Sequence, residues 1–305
     1  MTRVALALAL LALCSTARSA AACATCDVGD PTITDLALSQ PKRGRLRAAL
    51  DVSHRTVELG DRITGFDLTE QRLTLRGMYS PLARLTLQAE LPGVRRQVTR
   101  ANAARETSYG LGDAFLGAQT LLFRDLAFAP DHALWLNAGV TLPTAPALKE
   151  RGQSLPLERQ TGRGAFAPRL GLTYARFADR WAVFAMLDSE LPARCFMDSQ
   201  PSRSVATQLA GQFQPWPWLA LRGGARYLWE SRGLEEGGVR DPDSGGQLVA
   251  FEGGLSWRPF YPADWAGDRA REFVLRAGVV WPALQWLHGD HHEGPVISAG
   301  LLSDF

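Results

Sequence analysis

The sequence has no stretch of eighteen consecutive apolar residues; its longest unbroken one runs from Val4 to Leu13. A helix needs about twenty such residues to cross a bilayer, so a transmembrane helix is excluded. Charge excess is also missing. Lys and Arg total 33 against 31 Asp and Glu, and the small surplus lies in Arg3 and Arg18, inside a leader-like N-terminus that has no acid. A balanced chain gives no reason to expect nucleic acid as a partner. Lysine is almost absent, with Lys42 and Lys149 alone among the 33 basic residues. Cysteine is scarce, at four, and no Gly-rich phosphate loop leads from a strand into a helix. Nor is there a Ser, His and Asp constellation that reads as a nucleophile, so no enzymatic activity is expected.

What is present begins with a secretory signal over residues 1–22: Arg3, the apolar run, then small residues through Ser19, Ala20, Ala21 and Ala22. Cleavage after Ser19 or after Ala22 satisfies the small-x-small rule. The second choice leaves Cys23 first, as in a lipoprotein, although Ala20-Ala21-Ala22 lacks the large aliphatic residue of such a site. A periplasmic tail over residues 23–43 follows. It carries Cys23 and Cys26 as a Cys-x-x-Cys pair, readable as a local disulfide, an inert tail, or two ligands of an incomplete metal or redox site. Asp27 stands where covalent haem attachment needs His.

From residue 44 onward the pattern is alternation with period two, the mark of strands with two unlike faces. Leu46, Ala48, Leu50 and Val52 oppose Arg45, Arg47, Ala49 and Asp51. Leu73, Leu75, Gly77 and Tyr79 oppose Arg72, Thr74 and Arg76, and Leu85, Leu87, Ala89 and Leu91 oppose Thr86, Gln88 and Glu90. Similar segments recur to the end of the chain, making twelve candidate strands. Their clean runs are nine to eleven residues long, the span of a tilted strand across the hydrocarbon layer. Tight turns near 80–84, 177–180 and 214–217 lie on one side and long polar connections on the other, with longer-than-expected exceptions at 125–131 and 261–272. Trp181, Trp216, Trp218, Trp229, Trp257, Phe260, Trp281 and Trp286 fall mostly at strand ends, where interfacial girdles sit. Phe305 shares a face with Leu301, Ala299 and Ile297, the pattern of a C-terminal strand read by the barrel-assembly machinery, with Ser303 departing from it. These features predict an all-β, transmembrane antiparallel barrel of about twelve strands over residues 44–305, in the bacterial outer membrane, apolar face to lipid and charged face to the lumen.

Two segments carry a family resemblance. Gly110-Leu111-Gly112-Asp113 opens one strand, and Gly139-Val140-Thr141-Leu142-Pro143-Thr144 closes another. Together they resemble the outer-membrane transporter-like family named after the meta-pathway of phenol degradation, over residues 70 to 305. The resemblance implies a barrel that takes up small hydrophobic or aromatic compounds.

Three groups are candidates for the chemistry. Arg47, Arg76, Arg222, Arg226 and Arg276, with Arg72, share the predicted lumen with Asp51, Glu90, Asp188, Glu190 and Glu252, either as structural pairs or as a selectivity surface. His288, Asp290, His291 and His292, with Glu293, form a His-rich tract that reads as a polar loop or as a Zn or Cu site. Cys23 and Cys26 are the third. The expected function is a channel or transporter for a small molecule, without a cofactor and with lipid and solute as partners. The rival is a metal- or redox-linked binding protein using the Cys pair or the His tract.

Overall fold

In a computed structural model of the chain, residues 43–60, 65–100, 104–126, 130–155, 159–193, 200–234, 239–240, 244–259 and 273–305 are described. The expected signal segment, the tail as far as residue 42 with Cys23 and Cys26, and Cys195 lie outside them.

The alternation becomes strands β1 (Leu46–Leu59), β2 (Phe66–Leu82), β3 (Leu85–Arg100), β4 (Arg105–Leu111), β5 (Ala114–Arg124) and β6 (His132–Leu142). A short hairpin follows, β7 (Lys149–Glu150) and β8 (Gln153–Ser154), then β9 (Ala167–Ala178), β10 (Trp181–Glu190), β11 (Ser204–Trp216) and β12 (Leu219–Glu230). The chain ends in β13 (Gly246–Trp257), β14 (Phe273–Leu287) and β15 (His291–Asp304). Outside the hairpin, each strand pairs antiparallel with its neighbours in a thirteen-stranded sheet. Both β4 and β5 pair with β3, at its two ends, and so share one stave. Because β1 pairs with β15 as well as β2, the sheet closes on itself as a barrel of twelve staves. Closure leaves no full-length edge to pair with another chain.

The two faces separate as predicted. Leu50, Leu75 and Leu170 are 42%, 55% and 57% exposed, while lumen-facing Arg47 and Ala49 are nearly covered. An aqueous protein would reverse this; a lipid-facing wall requires it, because an outward aliphatic side chain meets acyl chains and not water. Outward aromatics stack in pairs near strand ends, Trp181 on Phe213 and Trp216 on Trp218 with ring centroids 4.4 and 5.2 Å apart.

Three features of the sequence reading need correction. First, β1, β2 and β3 run to 14, 17 and 16 residues. Beyond Leu73 and Leu91 their outward face turns polar (Gln71, Thr69, Arg95, Gln97), so the apolar alternation stops while ladder pairing continues. Second, the His-rich tract is not a loop: β14 continues to Leu287 and β15 starts at His291, so the turn comprises residues 288–290. Third, the lumen is not uniformly charged. Leu121, Trp135, Phe177, Phe184 and Met186 point inward and form a dry cluster against the walls of β5, β6, β9 and β10. Alternation placed Leu134 and Leu136 outside, which leaves Trp135 between them facing in.

Candidate functional site

The site is the lumen, built by inward residues at alternate positions of neighbouring strands. On one side, a cavity of about 290 Å³ is rimmed by three ion pairs. Arg76 Nε lies 2.8 Å from Glu90 Oε1, Arg222 Nη2 lies 2.9 Å from Glu252 Oε1, and Arg276 Nε donates to Asp51 Oδ1 at 2.9 Å. All six side chains are largely shielded, and within these pairs each charge is matched by one of opposite sign; Arg72 lines the same cavity.

Towards the long connections, Glu70 sits among three guanidinium groups. Arg96 Nε approaches it at 2.8 Å, Arg72 Nη2 at 3.1 Å and Arg55 Nε at 3.7 Å. Among the described residues, one carboxylate here faces three cations. Glu70, Arg55 and Arg96 were not singled out from sequence. Extending the even-numbered face back from Arg76 and Arg72 does reach Glu70.

Across the lumen, a second cavity of about 320 Å³ is lined by Gln88, Phe115, Asn137, Arg169, Asp188, Gln208 and Arg226, and meets the first at Arg76 and Glu90. The Phe115 ring lies along the wall, its atoms occupying the space that a Cβ on Gly117 or Gly139 would need. Both glycines are needed for that approach. The Arg169 guanidinium carbon sits 5.2 Å over the ring centroid, in cation–π range, and its Nη2 reaches Glu190 Oε2 at 2.9 Å. Phe115 and Arg169 carry little alternation signal of their own, and neither was anticipated.

The segment between β6 and β9 folds back over the free edge of β4, held by the two quoted motifs. Asp113 Oδ2 accepts from the backbone N–H groups of Arg163 and Gly164 at 2.6 and 2.9 Å, and its Oδ1 accepts from Ala145 N at 3.1 Å. Thr144 Oγ1 accepts from Ala114 N at 2.8 Å and donates to Gly112 O at 3.2 Å. Thr161 donates to Leu111 O at 2.8 Å, a contact for which Gly110 leaves room. One carboxylate therefore ties the departing and returning arms of the segment to the break between β4 and β5.

The sequence candidates fare differently. Arg76, Glu90, Asp188, Arg222, Arg226, Glu252 and Arg276 meet around the two cavities, whereas Arg47 lies buried at the turn end of β1, away from both. The His group does not converge. His291 and His292 are strand neighbours and point to opposite faces. His291 Nε2 lies 3.0 Å from Glu293 Oε1, while His292 sits in register with Glu58. Among the described residues no three His, Cys, Asp or Glu side chains are placed to hold a metal ion.

Among solved structures, an outer membrane channel from Pseudomonas putida F1 aligns over 87% of this chain and 96% of its own, at 20% identity and a TM-score of 0.68. The two share a fold. The Ralstonia pickettii toluene transporter TbuX and the transport unit of the Escherichia coli autotransporter AIDA-I align at TM-scores of 0.44 and 0.48, each at 10% identity. They cover 91% and 90% of this chain and 94% of each of their own. No protein-family model matches the chain, so the resemblance to the phenol meta-pathway family is not upheld at that level, and the transporter-like barrel is what remains of it. No curated protein matches it either.

Proposed function

We propose that this protein is an outer-membrane channel that passes a small solute through its lumen. The observation that supports it is the inversion of faces: aliphatic side chains cover the outside, while arginines and carboxylates line two joined internal cavities. That distribution is stable in a bilayer and gives a polar route through it. The fold shared with a protein titled an outer membrane channel fits the same reading. In this reading residues 1–22 direct export and are cleaved, and the strand ending at Phe305 is what the barrel-assembly machinery recognises. Lumen residues Arg76, Glu90, Asp188, Arg222, Arg226, Glu252 and Arg276 act as the selectivity surface. A compact solute with a hydrophobic or aromatic body suits the Phe115–Arg169 stack.

Planar-bilayer recording with purified barrel tests this. Discrete conductance steps in KCl, with solute entry into proteoliposomes, are expected; a folded barrel that is silent in both assays refutes the channel.

A further inference from the structure

The two cavities differ in how their polar groups are used. Around the 290 Å³ cavity the three carboxylates each hold one arginine. Around the 320 Å³ cavity, Arg226, Asp188, Gln88 and Gln208 line the space, and among the described residues none of their side chains has a hydrogen bond or an ion pair within 4.0 Å. Arg226 and Asp188 feel one another electrostatically, yet they stand apart with the cavity beside both. Asp188 lies directly over Gly171, where no side chain competes. Arg226 stands opposite Gln208 on the neighbouring strand.

The charges already used decide which groups are left for a ligand. Three arginines (Arg76, Arg169 and Arg226) and three carboxylates (Glu90, Asp188 and Glu190) line this cavity. Glu90 and Glu190 are already engaged, so the uncommitted cation is Arg226, whose planar fork matches a carboxylate bidentately. Asp188, as an acceptor, then calls for a donor at the other end of the ligand. On β9, the strand beside Asp188, the outer face of Arg169 stacked on Phe115 offers a flat platform for a planar body. A volume of about 320 Å³ lies at the small end of ligand pockets, enough for one ring with two polar substituents.

We infer that this cavity binds a small aromatic carboxylate bearing a hydroxyl group, its carboxylate on Arg226 and its hydroxyl on Asp188. The inference rests on the channel reading for its physiological sense, but the binding site is testable apart from it.

Titration of the detergent-solubilised barrel with 4-hydroxybenzoate, benzoate, phenol and L-phenylalanine, followed by calorimetry, reads the site directly. Expected is tightest binding of 4-hydroxybenzoate. Arg226→Gln should weaken it and benzoate about tenfold or more, as loss of a charge-assisted pair implies, with phenol unaffected. Asp188→Asn should weaken 4-hydroxybenzoate while leaving benzoate unchanged. Heat-modifiable migration on gels shows that each variant is folded, and if one is not, the other still separates the two ends of the ligand. Equal binding of all four probes, tighter binding of L-phenylalanine, or indifference to Arg226→Gln overturns the assignment. Conductance measured on the same preparations keeps the two ideas apart. Conductance without selective binding overturns this site and spares the channel; selective binding without conductance does the reverse.

Discussion

Asp51 and Arg276 are 225 residues apart in the chain and ion-paired across Gly300. Both stand in register with that glycine, Asp51 from β1 and Arg276 from β14, on either side of β15. A Cβ at Gly300 would run into the Asp51 carboxylate and the Arg276 guanidinium. The pair is thus a clasp over the strand where the barrel closes, and the missing side chain is what lets it form.

Gly300→Val should therefore separate the pair and weaken the closing seam. Breaking a shielded pair costs about 3–5 kcal/mol in a dry interior, and water in the lumen reduces that to about 1–3 kcal/mol here. Urea unfolding from lipid vesicles measures it. Asp51→Ala and Arg276→Ala should each destabilise, and the double variant should lose less than their sum; strict additivity would show that the clasp contributes nothing.

Asp113→Ala removes the acceptor for three backbone N–H groups and loosens both arms of the 143–166 segment at the break between β4 and β5, where Thr144 and Thr161 remain as weaker ties. The barrel should still fold, because its ladder is untouched. Limited proteolysis should now cut within 143–166, and conductance noise should increase. At about 1 kcal/mol for each bond lost, opening of the segment becomes roughly a hundredfold more frequent. Protection identical to the unaltered chain contradicts the staple.

Glu90→Gln leaves Arg76 without its carboxylate where the two cavities join. The junction of the cavities becomes more positive by one charge, so reversal potentials in a KCl gradient should shift toward chloride, and Arg76→Gln should shift them toward potassium. Equal shifts of the same sign from both variants would rule out this pair as a selectivity element.

Leu75→Arg places a charge on the outward face, where Leu75 is 55% exposed. Near the bilayer midplane such a change costs about 2–4 kcal/mol of folding stability in lipid. The adjacent Thr74→Arg points into the lumen and should leave folding nearly intact while reducing conductance. Equal costs for the two would invert the assignment of the faces.

Period-two alternation made the strands legible, since it is a local property that each segment displays on its own. Leu73, Leu75 and Tyr79 against Arg72, Thr74 and Arg76 sufficed to assign β2 and its two faces, and the same reading located Arg222 and Arg226 on β12. It failed where the local signal vanished. At the far ends of β1 to β3 the outward face is polar and the apolar residues Val57, Leu68 and Val98 lie inward, and the extended run through His291 and His292 has too few apolar residues to declare a strand. Trp135 and Phe184 were overlooked because an aromatic between outward aliphatic residues, Leu134 and Leu136 or Val183 and Ala185, is easily credited to the lipid side. Asp113 was quoted within a motif, but its three partners lie 32 to 51 residues away, and no spacing rule announces them.

The amino-acid pattern alone determined that this chain makes a closed wall with one face for lipid and one for charge, because burial in a bilayer is decided residue by residue and strand by strand. Which arginine meets which carboxylate was decided only in three dimensions. Register and closure bring β1 beside β15 and set Asp51 against Arg276, and they leave Arg226 and Asp188 facing a cavity without a hydrogen-bond partner among the described residues. Pairing depends on the distance across the lumen, a quantity that exists only once the last strand has joined the first.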